Sequence, residues 1–392
     1  WNPKEYTKIL INEIKEKVKD KKVFMLVSGG VDSTVAFTLL NKALKSENVY
    51  GLFIDNGLVR EKEKEFVDKA IKDLGYNNFH CYDAIDTFLD NLKEKYEPEE
   101  KRKIIGDTFI EIQKKAVKEL ELNADEWLLG QGTIYPDTIE SKGTKNSALI
   151  KTHHNRVEII QEMIKQGKVI EPLADLYKDE VREVGLELGL AEELVFRHPF
   201  PGPGLGVRCL CSKGNDNTPE LNIENSKTLP IKSVGVQGDS RTYRHPLAIT
   251  KKYSWDELEN MSTNITNKYS EINRVLYLIS GENIQNIKEI PNYITKPRLN
   301  LLRKADKIAM DTINKYNQHK KIWQMPIVLA PIGINNESII LRPVFSTEAM
   351  TAEFAKIDIE IVKEIAKKIR EIGIDFVFYD ITNKPPGTIE WE

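Results

Sequence analysis

The chain is short of cysteine: 392 residues carry three, Cys81, Cys209 and Cys211. So odd and sparse a set excludes a disulfide framework as the source of stability and fits a reducing compartment, so a cytoplasmic location is expected. Long apolar runs are also missing. No stretch approaches the ~18 consecutive apolar residues of a membrane span, and no secretory leader is visible, so no membrane partner is expected. Nor does one sign of charge dominate. There are 57 Lys and Arg against 60 Asp and Glu, a net charge of −3. That balance gives no electrostatic reason to expect a nucleic acid. Where lysines cluster, acids interrupt them, as in Glu61-Lys62-Glu63-Lys64-Glu65, which is the pattern of a solvated helix face. Apolar residues at 40% and charged residues at 30% are ordinary for a globular core, and the length suits two or three domains. The first residue is Trp1, not Met, which is consistent with the tail of a longer polypeptide.

The apolar spacing of Ile9, Leu10, Ile14 and Val18 predicts an amphipathic helix over 8–19. Residues 22–27 form a short apolar run that ends in Ser28-Gly29-Gly30, the signature of a buried parallel strand. A helix over about 32–45 follows, then a strand over 49–54, a helix over about 60–74 and a strand over 78–82. Cys81 falls in that strand and reads as core. This alternation predicts an open parallel α/β sheet with nucleotide at its strand ends. A long helix over 101–122, a strand at 127–129, a polar Gly-rich loop over 130–145 and helices over about 156–166 and 178–188 complete the first half.

The composition then breaks. Arg197-His198-Pro199-Phe200-Pro201-Gly202-Pro203-Gly204-Leu205-Gly206 can be neither regular helix nor strand, because its prolines lack amide donors and fix φ. A domain boundary is placed there. Residues 214–227 are polar and read as a disordered-leaning surface insert. Beyond them, the run Val275-Leu276-Tyr277-Leu278-Ile279-Ser280 is similar to Val377-Phe378-Tyr379-Asp380-Ile381-Thr382. A helix and strand-like runs precede each, so two copies of a β-β-α-β unit are expected.

The chemistry concentrates in Ser28-Gly29-Gly30-Val31-Asp32-Ser33-Thr34, which leaves a buried strand and opens a helix. Its glycines let backbone approach an anion closely, and the free amides of the helix start point at it. Ser28, Ser33 and Thr34 add hydroxyls. A P-loop would need a lysine after a longer glycine span, and there is none. Asp32 offers an oxygen ligand for Mg²⁺ instead. Two further clusters stand out: Asp137 and Glu140 in the polar loop, and Lys151, His153 and His154 just after it. The carboxylates read either as solvated loop residues or as groups that hold Mg²⁺ or ATP. The cationic trio can neutralise negative charge that develops in a reaction. No Cys or carboxylate at ligand spacing accompanies the two histidines, so no zinc site is expected.

The motif SGGVDS at this position resembles the pyrophosphate-binding loop of the N-type ATP pyrophosphatases. Other segments narrow the resemblance to the GMP synthase family: residues 99–109, 130–141, 150–155, 197–206, 234–239 and 384–392, the last reading KPPGTIEWE. They run in the family's order and cover nearly the whole chain. The resemblance implies an open-sheet ATP pyrophosphatase domain of the adenine nucleotide alpha hydrolase-like fold over 1–196, with a lid at about 130–156. An α+β dimerisation-type domain over 197–392 would follow, its repeats at about 228–290 and 320–392.

It also implies a ligase that adenylylates xanthosine monophosphate (XMP) with Mg-ATP and lets ammonia displace AMP to give GMP. The ammonia would come from a glutaminase domain or subunit. By the same resemblance, ATP meets Val27, Ser28, Gly29, Gly30, Val31, Asp32, Ser33, Thr34 and Phe53, with Asp32 on the metal; a core role for Val27 and Phe53 is equally open. The catalytic set is Asp32, Asp137, Glu140, Lys151, His153 and His154. XMP would meet Arg102, Asp239, Gln324, Lys384, Ile389 and Glu390. One departure is plain: many relatives carry arginine where this chain has Phe376, while the first repeat keeps Arg274. The glutaminase domain itself is absent from these residues.

Overall fold

A computed structural model describes residues 1–119, 121, 125–137, 163, 165–236, 241–319, 322–346 and 351–392. The chain divides into two compact units, one of residues 1–88 and 104–200, the other of 89–103 and 201–392. The break after 200 falls near the proline-rich run. Residues 89–103 belong to the second unit, which the sequence did not indicate.

The first unit begins with α1, Pro3–Val18, which starts earlier than the apolar spacing alone indicates. The Asn2 side chain accepts from Glu5 N and Pro3 occupies the first turn, the usual capping chemistry of a helix start. Thr7, Leu10, Ile14 and Val18 form its buried face. Then come β1 (Lys22–Leu26), α2 (Val31–Ala43), β2 (Val49–Asp55), α3 (Glu63–Asp73), β3 (Phe79–Asp83), α4 (Ile85–Asn91), α5 (Pro98–Glu119), β4 (Trp127–Gly130) and β5 (Val169–Ile170). Helices α6 (Lys178–Glu187) and α7 (Glu192–Val195) close it. The sheet order is β3-β2-β1-β4-β5, and every pairing is parallel. β1 and β4 are near-continuous apolar runs because a parallel sheet is covered on both faces. α2 lies under that sheet and is buried almost throughout.

The second unit holds β6 (Ser226–Thr228), β7 (Ser233–Val236), β8 (Arg241–Ile249), α8 (Trp255–Lys268), β9 (Ile272–Ser280), β10 (Lys288–Glu289) and α9 (Lys296–Lys315). After these come β11 (Ile327–Ala330), β12 (Ile332–Gly333), β13 (Ser338–Leu341), β14 (Val344–Phe345), β15 (Glu353–Phe354), α10 (Ile359–Arg370) and β16 (Val377–Asp380). Its main sheet runs β11-β13-β16-β9-β8-β6, with β7 also paired to β8. The pairings have an internal symmetry. β6 is antiparallel to β8, and β8 parallel to β9; β11 is antiparallel to β13, and β13 parallel to β16. The two triplets meet antiparallel at β9 and β16. Each parallel step is crossed by a helix, α8 or α10, as a parallel connection requires. This is the duplicated β-β-α-β arrangement.

One expectation fails here. Part of the polar 214–227 stretch is structured: Ser226 and Lys227 lie in β6, opposite Ile249 and Ala248. Upstream, Asp216 N donates to Glu289 Oε2 at 2.8 Å. Backbone pairing needs no apolar side chain, so composition alone hid it.

Candidate functional site

In the first unit the loop after β1 is built as a turn of small residues. Gly29 sits at φ +80°, where a side chain would be strained, and its missing Cβ would meet Glu63 Oε1 at 3.0 Å and Val67 Cγ2 at 3.2 Å. Gly30 caps α2 in extended conformation with no side-chain cap of its own. The first amides of α2 therefore have no intrahelical partner and lie at the positive end of the helix dipole. The hydroxyls brace the turn. Ser28 and Ser33 Oγ atoms are 3.0 Å apart, and Ser33 and Thr34 hydroxyls donate to Gly30 O at 3.1 and 2.9 Å. Ser28 and Gly30 remain exposed. Helix-start amides beside hydroxyls are the kind of arrangement that suits an anion.

Two cations to which the sequence assigned no site role flank this loop. Lys178, the first residue of α6, donates to both Asp32 oxygens at 2.7 and 2.6 Å. Arg197, from the proline-rich run, donates to Gly29 O at 3.0 Å and pairs with Glu63. Glu63 corrects the reading of residues 61–65 as a solvated face, since it is 8% exposed. Gly132, at the far side, leaves no room for a side chain: a Cβ would meet Ser33 N at 3.0 Å and the Asp32 carbonyl carbon at 3.1 Å. Val27 and Phe53 both lie in the hydrophobic core, with Phe53 tilted against Phe79 at 6.3 Å between centroids. Asp137 Oδ2 accepts from Ile134 N at 3.3 Å, closing a short turn after the loop. Glu140, Lys151, His153 and His154 lie outside the described residues.

In the second unit, residues 384–392 are tied down along their length. Lys384 N donates to Ala352 O at 2.7 Å, Val236 N to Pro386 O at 2.7 Å, and Val234 N to Trp391 O at 3.0 Å. Partial burial pulls the Lys384 ammonium below the usual lysine range. Glu390 accepts from Arg208 Nε at 3.0 Å, from an Arg208 terminal nitrogen at 2.8 Å, and from Gln324 Nε2 at 3.0 Å. Burial works against the Arg208 guanidinium, and Glu390 more than offsets it. Gln324 and Glu390, expected in one site, are therefore bonded to each other. Arg102 donates to Glu392 O. Ile389 lies half-buried in the same segment, and Asp239 is outside the described residues.

Lys101 is one of several ties between residues 89–103 and this unit, beside Tyr96 on Tyr293 and Glu99 with Arg241 and Tyr243. Lys101 is 0% exposed and pairs with Glu392, while donating to Gly206 O at 3.1 Å and Cys209 O at 3.2 Å. No helical periodicity marks it, because its partners are up to 291 residues away. Among the described residues no group of three or more His, Cys, Asp or Glu gathers as a metal cluster.

Residues 311–391 match the family model "GMP synthase C terminal domain", and residues 4–119 match "NAD synthase". The chain is 49% identical over its whole length to a probable glutamine-hydrolysing GMP synthase of Leptospira interrogans, spanning 68% of that protein. It is 36% identical to the GMP synthase of Dictyostelium discoideum, over 97% of this chain and 64% of that one. It is 35% identical to the enzyme of Helicobacter pylori, over 100% of this chain and 63% of that one. The chain thus spans about two thirds of these relatives. A solved NMN synthetase from Francisella tularensis aligns at 16% identity and TM-score 0.37, over 53% of this chain and 79% of that one. No helix among the described residues is long and apolar enough to cross a membrane.

Proposed function

The chain belongs to the GMP synthase family of C–N bond-forming ligases, and from that premise we propose that it converts XMP to GMP with ATP and ammonia. The observation that carries this reading is the loop of residues 28–34. Its glycine turn, its helix-start amides and its bracing hydroxyls suit the two phosphates that leave together as pyrophosphate. The C2 oxygen of XMP attacks the α-phosphorus, and the bond from that phosphorus to the pyrophosphate oxygen breaks. Ammonia nitrogen then adds at C2, the C2–O bond breaks, AMP departs, and the nitrogen gives up a proton to solvent. No side chain forms a covalent bond; alignment and charge neutralisation carry both steps.

The donor set fits Mg²⁺. That ion keeps water and phosphate oxygens as most of its ligands and needs only one or two carboxylates. Asp32, half-exposed at the helix start, would hold it, and the ion would neutralise the departing pyrophosphate. Lys178, now paired with Asp32, keeps a second positive charge at the mouth of the loop. Lys151, His153 and His154 are the residues proposed to offset charge on the adenylylated intermediate, and Asp137 and Glu140 are proposed to hold Mg²⁺ or position ATP. Arg102, Asp239, Gln324, Lys384, Ile389 and Glu390 are proposed for XMP. Because Glu390 already accepts from Arg208 and Gln324, its part is to order those donors as much as to touch the nucleotide.

Ammonia is proposed to come from a glutaminase, as a domain or subunit. The experiment is a product assay with XMP, Mg-ATP and ammonium. GMP, AMP and pyrophosphate should appear in equal amounts, and glutamine should replace ammonium only when a glutaminase is added. ADP without AMP would overturn the reading.

A further inference from the structure

The geometry points to Asp380, with Arg274 and Arg342 on either side of it, as a buried positioning centre that sets residues 384–392 for the acceptor nucleotide. This rests on the proposed XMP site. All three side chains are 0% exposed. Arg274 donates to Asp380 Oδ2 at 2.8 Å, and an Arg342 terminal nitrogen lies 3.2 Å from Oδ1. Trp391 Nε1 also donates to Oδ2, at 3.0 Å, and the Arg274 guanidinium lies 4.8 Å from the centre of the Trp391 ring.

The other nitrogens turn to the segment. One Arg274 terminal nitrogen reaches Thr388 O at 2.9 Å, Thr388 Oγ1 at 2.7 Å, Glu390 O at 2.9 Å and Val234 O at 3.0 Å. Arg342 reaches Thr388 O at 3.2 Å and Thr382 O. Gly387 eases this approach, since a Cβ there would lie a tight 3.2 Å from one Arg274 nitrogen and 3.4 Å from an Arg342 nitrogen.

Stability alone does not account for such a centre. Apolar side chains of the same size often hold a core as well as buried charges do. They could not supply directed donors to the carbonyls of a segment that has no strand or helix of its own. The centre also carries two cations on one carboxylate, and neither guanidinium Nε has a hydrogen-bond partner among the described residues. That cost is tolerated where the arrangement serves a site.

The duplication explains how the centre arose within one chain. Matching residues 275–280 to 377–382 equates Arg274 with Phe376, and Leu278 with Asp380. The first repeat supplies the arginine and the second supplies the carboxylate and the segment. The counterpart of the arginine position is closed: a Cβ on Gly281 would fall 2.2 Å from the Phe376 ring. Phe376 is therefore no lost function, because Arg274 serves the seat from the other repeat.

The test compares the full chain with Asp380→Asn, Arg274→Met, Arg274→Lys and the double variant Arg274→Met/Asp380→Leu. The readouts are KM for XMP, KM for ATP, Tm, and backbone amide exchange of residues 384–392. Asp380→Asn and Arg274→Met should each raise KM for XMP about tenfold or more, with KM for ATP within about twofold. Exchange at 384–392 should accelerate by a similar factor. Arg274→Lys should fall between wild type and Arg274→Met, as it keeps the charge but not the planar fork. The double variant should recover Tm while leaving KM for XMP and the exchange rate raised. If restoring Tm also restores both, or if both KM values move together, the centre is structural only and the inference falls. Amide exchange reads the segment without turnover. A chain that made no GMP would sink the proposed function, while the exchange result would still decide the positioning.

Discussion

The loop of residues 28–34 and the segment of residues 384–392 are held by opposite means. In the loop, every bracing hydroxyl bond spans five residues or fewer, and backbone conformation does most of the shaping. In the segment, most braces are side chains 46 to 291 residues distant, and most of those are buried charges. The difference follows from what each must hold. An anion can be met by the unpaired amides of one helix start, which a local turn can build. A segment with few regular hydrogen bonds of its own must borrow donors, and buried charged donors are rigid only when paired. The loop should thus be sensitive in activity and tolerant in stability, and the segment sensitive in both.

The sharpest test of that contrast is Asp32→Ala. The carboxylate is half-exposed and pairs with Lys178, itself partly exposed, so the loss of stability should stay within about 1 kcal/mol. Release of AMP and pyrophosphate should fall by about 10²- to 10³-fold or more, as for removal of a charge-stabilising group. A thermal melt beside the product assay checks both. Unchanged turnover would remove Asp32 from its role, and a large fall in Tm would break the contrast.

A smaller effect is expected at Gly132. Alanine there would press on the Ser33 amide and the Asp32 carbonyl carbon, which are backbone and cannot swing aside. The start of α2 must then shift, and KM for ATP should rise about tenfold with little change in KM for XMP. Gly106 is the control. It lies inside α5 with nothing within 4 Å of a Cβ, so Gly106→Ala should leave kinetics alone and stabilise by about 0.5–1 kcal/mol. If both alanines act alike, the close approach at 132 has no bearing on the loop.

The same contrast decides what could be read from sequence. The loop was legible because its parts are contiguous and their chemistry is local: apolar strand, glycines, helix start. The parallel order of the first sheet followed from the alternation, and the repeat in the second unit from one short likeness. Lys178, Arg208 and Lys101 were not legible. Each sits in an ordinary-looking stretch, and its meaning comes from a partner 146, 182 or 291 residues away. Lys101 stands in a charged helix start, where a pattern argument assigns it to solvent; only the packed structure shows it buried against Glu392. Glu63 misled for the same reason. Arg274 was noticed only because a likeness set it beside Phe376, and its purpose needed the antiparallel meeting of β9 and β16.

The smallest expected effect probes whether the loop's principle recurs in the second unit. Asp375 places Oδ2 at 2.8, 2.7 and 2.7 Å from the amides of Ile334, Asn335 and Asn336, and Oδ1 at 3.1 Å from Asn336 Nδ2. Three consecutive amides close on one carboxylate here, as the amides at the start of α2 are proposed to close on phosphate. Burial alone would raise the Asp375 pKa, but the donated bonds outweigh it and hold the carboxyl below its ordinary value. A carboxyl depressed in the fold stabilises above its unfolded pKa of about 3.9 and loses that contribution as pH falls through the folded value. Asp375→Asn should therefore lower stability by about 1 kcal/mol at pH 7. The gap from wild type should narrow as pH drops below about 4. Melts from pH 7 to pH 3 measure it. A gap that stays constant with pH would mean that these amides hold the side chain by shape and not by its charge. The likeness to the phosphate loop would then be lost.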